Sequence, residues 1–310
     1  MCIRDSIEGA VDLAVRTGMP KIVIGATIIS LGTTLPEMFV SVMAAFMGNP
    51  GLALGNGVGS IIADTGLIFG LSCLLAPIPV NRFILNRTGW IQIGAAVLLV
   101  LLSVAALATR PPGSPPVLER WVGFFFLILL VGYLYLTYHW SKQQRDGADQ
   151  SENNGDTSVR GLRWSWILLI GGLTLVIVGA RLLVPGASEV AERIGVPDDV
   201  IAASMVAFGT SLPELITAIT AIRKGHPEIT VGNIVGADVL NCLFVIGAAA
   251  AAVPLEIPLN FYFLHFPAML LILLSFRTFI STDRTGYFSK WQGLWLLSIY
   301  VAYLVVQYVK

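Results

Sequence analysis

The sequence predicts an all-α integral membrane protein whose two halves repeat each other. Three observations carry that reading. Of the 310 residues, 55% are hydrophobic and 12% are charged, with a mean hydropathy of +0.79, whereas a soluble domain carries about 25% charged residues. Apolar runs long enough to cross a bilayer follow one another with little between them. A block running from Gly18 to Pro77 recurs without a gap as Gly195 to Pro254, at a fixed offset of 177. Net charge is zero and no basic patch for nucleic acid stands out.

Taken in order, the polar residues 1–8 lack the apolar stretch of a signal peptide. Nine candidate spans follow: Ile22–Met47, Leu52–Leu75, Ile84–Ala108, Trp121–Trp140, Trp164–Val184, Val200–Ile222, Ile229–Val253, Phe261–Ile280 and Trp291–Val309. Each reaches the ~20 residues a crossing helix needs. Trp90, Trp121, Trp140, Trp164 and Trp291 lie near span ends, as in an interfacial aromatic belt. The polar segment Ser141–Arg163 reads as a flexible loop. Cys73 and Cys242 read as buried free thiols, Cys2 lies in the polar start, and His139, His226 and His265 share no ligand spacing.

Alternating the loops across the membrane puts thirteen Lys and Arg on one side and five on the other. That bias makes the Ser141–Arg163 loop cytoplasmic in an inner-membrane, multi-pass protein, with the C-terminus outside. Gly9–Lys21 then falls inside and its copy Gly186–Asp198 outside, so the repeats are inverted. The second repeat begins with the span before Gly186. The matching span of the first would end near residue 7, where the sequence is polar. The expectation is a 5+5 helix arrangement with the first helix missing from the chain as it stands. Residues 1–140 form the first repeat, 141–163 the loop and 164–310 the second repeat.

The chemistry lies in the repeat. Gly32-Thr33-Thr34-Leu35-Pro36-Glu37 recurs as Gly209-Thr210-Ser211-Leu212-Pro213-Glu214, each time inside an apolar run. A carboxylate there is costly in lipid and points to function. Pro36 and Pro213 remove a backbone N–H and clash with the carbonyl four residues back, so each helix should break beside its Glu. Paired interrupted helices in matching positions point to a secondary transporter. A second polar station lies 27 residues after each Glu, Asp64 in one copy and Asn241 in the other. It follows Gly55-Asn56-Gly-Val-Gly-Ser60 or Gly232-Asn233-Ile-Val-Gly-Ala237, whose glycines allow close helix approach. A single Pro kink or a lone intramembrane Asp is often structural; the same pair twice at equal spacing is not. Asn56 and Asn233 read as starting their helices after Gly, in capping or helix–helix hydrogen bonding. Asp238 faces Ile61 in the other copy and is assigned no role.

A cavity lined by Glu37, Glu214, Asp64, Asn241 and the hydroxyls of Thr33, Thr34, Thr210, Ser211 and Ser60 offers oxygens alone. Such donors suit Ca2+, Mg2+ or Na+ and argue against zinc or copper. Ca2+ takes six to eight oxygens, and Mg2+, which dehydrates reluctantly, fits less well.

These paired motifs resemble the duplicated repeats of the cation/calcium exchanger superfamily, and of its prokaryotic sodium/calcium antiporters in particular. The resemblance spans nearly the whole chain. It implies ten helices in two inverted halves, exchange of several Na+ for one Ca2+, and sliding of the first and sixth helices to switch access. It makes Glu37 and Glu214 the carboxylates shared by Ca2+ and Na+. Thr33 and Thr210 become carbonyl ligands, with Thr34 and Ser211 their hydroxyl-bearing neighbours. Ser30 and Ala207 become carbonyl donors to outlying Na+ sites, Ser60 a hydroxyl ligand, and Asp64 and Asn241 the central pair. Ala237 departs from the serine expected opposite Ser60. The alternative of the same class is a H+-coupled Ca2+ antiporter, since a desolvated carboxylate can carry a proton. A channel fits inverted broken helices poorly. An enzyme is not expected, since no Gly-x-Gly-Asp pair or Ser/His dyad is evident. No cofactor is called for beyond the transported ions.

Overall fold

The computed structural model describes residues 19–147, 206–283 and 285–309, together with Glu189 and Arg193. The expected span Trp164–Val184, the polar start and most of the 141–163 loop lie outside the described residues. Within them, the long helices are α1 (Lys21–Phe46), α2 (Pro50–Leu75), α3 (Arg82–Thr109), α4 (Arg120–Gly147), α6 (Pro227–Ala252), α7 (Phe261–Thr282) and α8 (Lys290–Val309). Between α4 and α6, α5 is seen as Ala207–Thr210 followed by Leu212–Arg223. Six of these helices are long and apolar enough to cross a membrane. The chain is a multi-pass membrane protein. One expectation is corrected here. α4 continues to Gly147 instead of yielding to loop at Ser141, because Lys142, Gln143, Gln144 and Arg145 are good helix formers that propagate an existing helix.

Two helices make the centre. In α2 and α6, 78% and 83% of the most apolar stretch is buried inside the protein, against 33% in α3 and α4. The outer helices instead present apolar side chains outward, among them Leu101, Ile128, Val131 and Phe263, as a lipid-facing surface requires. Glycine permits the central packing. A Cβ on Gly232 would sit 2.1 Å from the Ile22 carbonyl oxygen, and one on Gly236 would sit 2.5 Å from that of Ala26. α6 therefore lies directly against the first half of α1, backbone to backbone.

Asn56 and Asn233 do not start helices. α2 and α6 begin at Pro50 and Pro227, where a missing N–H costs nothing. Gly48 and Gly225 precede them with φ of 77° and 75°, a left-handed turn that glycine adopts freely. Asn49 caps α2 by accepting from the Leu52 N–H at 2.9 Å.

Four two-residue strands tie the loops. β1 (Ile78–Pro79), after α2, pairs antiparallel with β4 (Tyr287–Phe288), before α8. β2 (Val117–Leu118), before α4, pairs antiparallel with β3 (Leu255–Glu256), after α6. Each ladder joins one loop from each half of the sequence.

Candidate cation site

Both Pro-Glu helices are interrupted at one residue. α1 is helical over Ser30–Thr33 and resumes at Leu35, with Thr34 at φ −82° and ψ −4°. α5 repeats this with Ser211 at φ −81° and ψ 5°. The interruption is a tight turn, not an unwound loop, because the Thr34 and Ser211 N–H groups still bond the carbonyls of Ser30 and Ala207. The ring of Pro36 or Pro213 leaves the carbonyl four residues back without its helical donor. The second stations also lie on distorted helix. Asp64 is in the wide π-helical stretch Ala63–Phe69 and Asn241 in Asn241–Ile246. Such bulges are frequent at functional sites.

All the expected site residues are buried: Glu37, Glu214, Asp64, Asn241, Thr33, Thr34, Thr210, Ser211, Ser60, Ser30 and Ala207. The fold joins them through contacts between the halves. The Thr33 hydroxyl lies 3.4 Å from Asn233 Oδ1, and the Thr210 hydroxyl lies 3.0 Å from Asn56 Oδ1. Each pair is the image of the other under the 177-residue offset. Asn241 Nδ2 donates to Asp64 Oδ2 at 3.4 Å, and these two residues are themselves 177 apart. Thr210 also lies beside Glu37, Thr33 beside Glu214 and Ser211 beside Asp64. The Glu214 carboxylate is within electrostatic reach of Glu37 and Asp64. The Ser30 and Ala207 carbonyls each accept the hydroxyl of the Thr three residues on, at 3.3 and 3.1 Å.

Three residues join the site that were not assigned to it. Asn56 donates from Nδ2 to the Glu37 carbonyl and to Ser41 Oγ, both at 3.0 Å, and so anchors the broken helix to α2. Asp238 is buried, accepting from Thr65 and, at 2.5 Å, from Gln92 Nε2. Gln92 was legible only as a lone polar residue in the apolar run of α3.

The electrostatics are one-sided. Glu37, Asp64, Glu214 and Asp238 are all buried, and among the described residues no Lys or Arg is buried with them. Among the described residues, six of their eight carboxylate oxygens have no hydrogen-bond partner, nor do Thr34 Oγ1, Ser211 Oγ, Ser60 Oγ and Asn241 Oδ1. Burying a charge without a partner is very costly. Such a constellation is relieved either by bound cations or by protons on the carboxylates. Among the described residues no three acidic, His or Cys side chains form a ready metal cluster, so hydroxyl, amide and carbonyl oxygens would complete any coordination shell.

A family model described as sodium/calcium exchanger protein matches residues 5–139 and 164–309. The sodium/calcium exchanger MaX1 of Methanosarcina acetivorans is 30% identical, over 97% of this chain and 92% of that protein. The inner membrane protein YrbG of Escherichia coli is 32% identical, over 98% and 92%. Among solved structures, the sodium-calcium exchanger NCX_Mj soaked with Na+ and Sr2+ superposes with a TM-score of 0.75 at 26% identity, covering 97% of this chain and 92% of that one.

Proposed function

Because the chain belongs to the sodium/calcium exchanger protein family, we propose that it exchanges Na+ for Ca2+ by alternating access, with the ions held between Glu37 and Glu214 near the middle of the bilayer. The observation that carries this is the unpartnered state of both glutamates, each at the break of its helix and each beside a Thr of the opposite half. Two carboxylates and the surrounding hydroxyl, amide and carbonyl oxygens can supply the six to eight ligands of Ca2+. The same oxygens can serve Na+, so the two ions compete and movement of one drives the other.

The halves act as inverted repeats, residues 1–140 and 164–310, joined through the end of α4 and the segment that follows Gly147. Contacts between segments of the two halves support the alternation of loops between two sides that this arrangement needs. The ladders β1–β4 and β2–β3 each join loops that alternation puts on one side. Lys21 meets Glu228 at 3.4 Å, and Arg277 donates to Asn86 Oδ1 at 2.8 Å, both at the Lys- and Arg-rich side. The Tyr262 hydroxyl donates to the Ser103 carbonyl at the other. The charge bias makes the first side cytoplasmic, in an inner membrane, and puts the C-terminus outside.

The test is Ca2+ uptake by vesicles under an imposed Na+ gradient or an imposed H+ gradient. Uptake driven by Na+ at fixed pH is expected. Uptake driven by H+ alone would replace Na+ coupling with H+ coupling, and Ca2+ flux without counter-transport would indicate a channel.

A further inference from the structure

One buried carboxylate is not used by the exchange reading. Asp238 lies on α6 immediately after Ala237, where the other repeat has Ile61. Its Oδ2 accepts from the Thr65 hydroxyl of α2 and from Gln92 Nε2 of α3. Three helices thus hold one side chain in place. Its Oδ1 has no partner among the described residues. A carboxylate fixed through one oxygen and bare at the other has its second oxygen ready for a cation.

The neighbouring oxygens are of the same kind. Asp64 Oδ1, Asn241 Oδ1 and Ser60 Oγ are buried and unpartnered. Ser60 lies one helical turn before Asp64, and Asn241 is tied to Asp64 by its amide. Asp64 and Asp238 lie within electrostatic reach of each other, and Thr65, which holds Asp238, is the next residue after Asp64.

We propose that Asp238 is a further cation-binding residue, forming with Asp64 and Asn241 a Na+ station beside the Glu37–Glu214 centre. The inference rests on the exchange reading and adds to it. The donors are a carboxylate pair, an amide and a hydroxyl, all hard oxygens, which suit an alkali cation. A second Ca2+ would want six to eight oxygens, more than this cluster presents. The charge count agrees. Four carboxylates, rather than three, are buried together, so with all four ionised the Na+-loaded protein can hold one more monovalent ion. The second half lacks the hydroxyl of Ser60 at Ala237 and has a carboxylate one position on.

The test uses the full purified chain. Radiolabelled Na+ is counted at equilibrium on the protein, and the Na+ dependence of Ca2+ uptake is measured in proteoliposomes. Asp238→Asn is expected to bind one Na+ fewer at saturation and to lower the Hill coefficient for Na+ by about one, with Ca2+ half-saturation unchanged. Gln92→Leu and Thr65→Val keep the carboxylate but remove its supports. They should raise the Na+ concentration for half-maximal uptake while leaving the bound count intact. An equal Na+ count in wild type and Asp238→Asn overturns the inference. If Asp238→Asn fails to fold, an unchanged Na+ requirement in both supporting variants overturns it instead. A wild type with no Na+-dependent Ca2+ uptake would overturn the exchange reading, while the Na+ count on purified protein would still decide Asp238.

Discussion

The first half of the site and the second share a plan but not an inventory. Residues 30–64 carry Ser41, Ser60, Ile61 and Asp64; the matching positions in residues 207–241 carry Ala218, Ala237, Asp238 and Asn241. The helices, their breaks and their Thr–Asn contacts match. The polar groups have moved across the junction between the halves. A duplicated fold keeps its backbone devices in register because packing demands it. Its oxygens can be redistributed, because a cation held at the junction as proposed would draw on both halves at once.

The sharpest way to break the comparison is to remove one carboxylate from each half. Glu37→Gln and Glu214→Gln should each abolish Ca2+ exchange, a loss of roughly 100-fold or more, since removing one partner of a buried ionic contact costs about 3–5 kcal/mol. Purified protein should retain its elution profile. Exchange surviving in only one variant would show that the halves are not equivalent at their core.

Packing comes next. Gly57→Ala brings a Cβ to 2.7 Å from the Ile246 side chain, which can move, whereas Gly232→Ala meets the Ile22 carbonyl oxygen at 2.1 Å. Gly232→Ala should therefore be the worse, at the upper end of the ~1–3 kcal/mol typical of overpacking. Thermal midpoints of the two variants in detergent decide it.

The asparagines sharpen the contrast further. Asn56 bonds Glu37, Ser41 and Thr210, but among the described residues Asn233 has Thr33 alone and an unpartnered Nδ2, and Ala218 stands where the first half has Ser41. Asn56→Ala should cost about 2–3 kcal/mol and Asn233→Ala nearer 1, at ~1 kcal/mol per hydrogen bond. Ala218→Ser should raise the melting temperature if the missing hydroxyl is the reason.

Restoring the symmetric hydroxyl tests the Na+ ligands. Ala237→Ser should lower the Na+ concentration for half-maximal exchange and leave Ca2+ affinity unchanged, since the proposed Ca2+ site relies on the two glutamates. Identical Na+ curves at saturating Ca2+ would remove position 237 from the coupling.

The smallest effect concerns the caps. Asn49 caps α2, but its counterpart His226 makes no side-chain cap on α6 and meets Lys21 Nζ at 3.2 Å. Burial, reinforced by Lys21 and partly offset by Glu228, holds the His226 imidazole below its ordinary range. The unfolded chain therefore binds the proton more readily. This contribution to stability is complete above the imidazole's usual pKa of about 6.5 and is lost as the pH falls through the depressed folded value. His226→Asn should remove that slope and add a cap worth ~1 kcal/mol. Melting curves across this pH range, on both proteins, measure it.

A multi-pass membrane protein, its duplication and the two Pro-Glu stations were all legible in the chain. Each is a local signal: the length of an apolar run, an offset that needs no gap, a charge where lipid penalises it. The sequence placed Glu37, Glu214, Asp64 and Asn241 as one set because their spacing recurs. Only the tertiary structure decided which residues those groups meet. Thr33 finds Asn233, Thr210 finds Asn56, and Gln92 finds Asp238, across separations that leave no periodic trace in the chain. Asn56 reads from sequence as a helix start engaged in capping or helix–helix hydrogen bonding; it lies inside α2, and the second alternative holds. Its buried amide had to be satisfied, and the groups able to do so came from a neighbouring helix and from the opposite half.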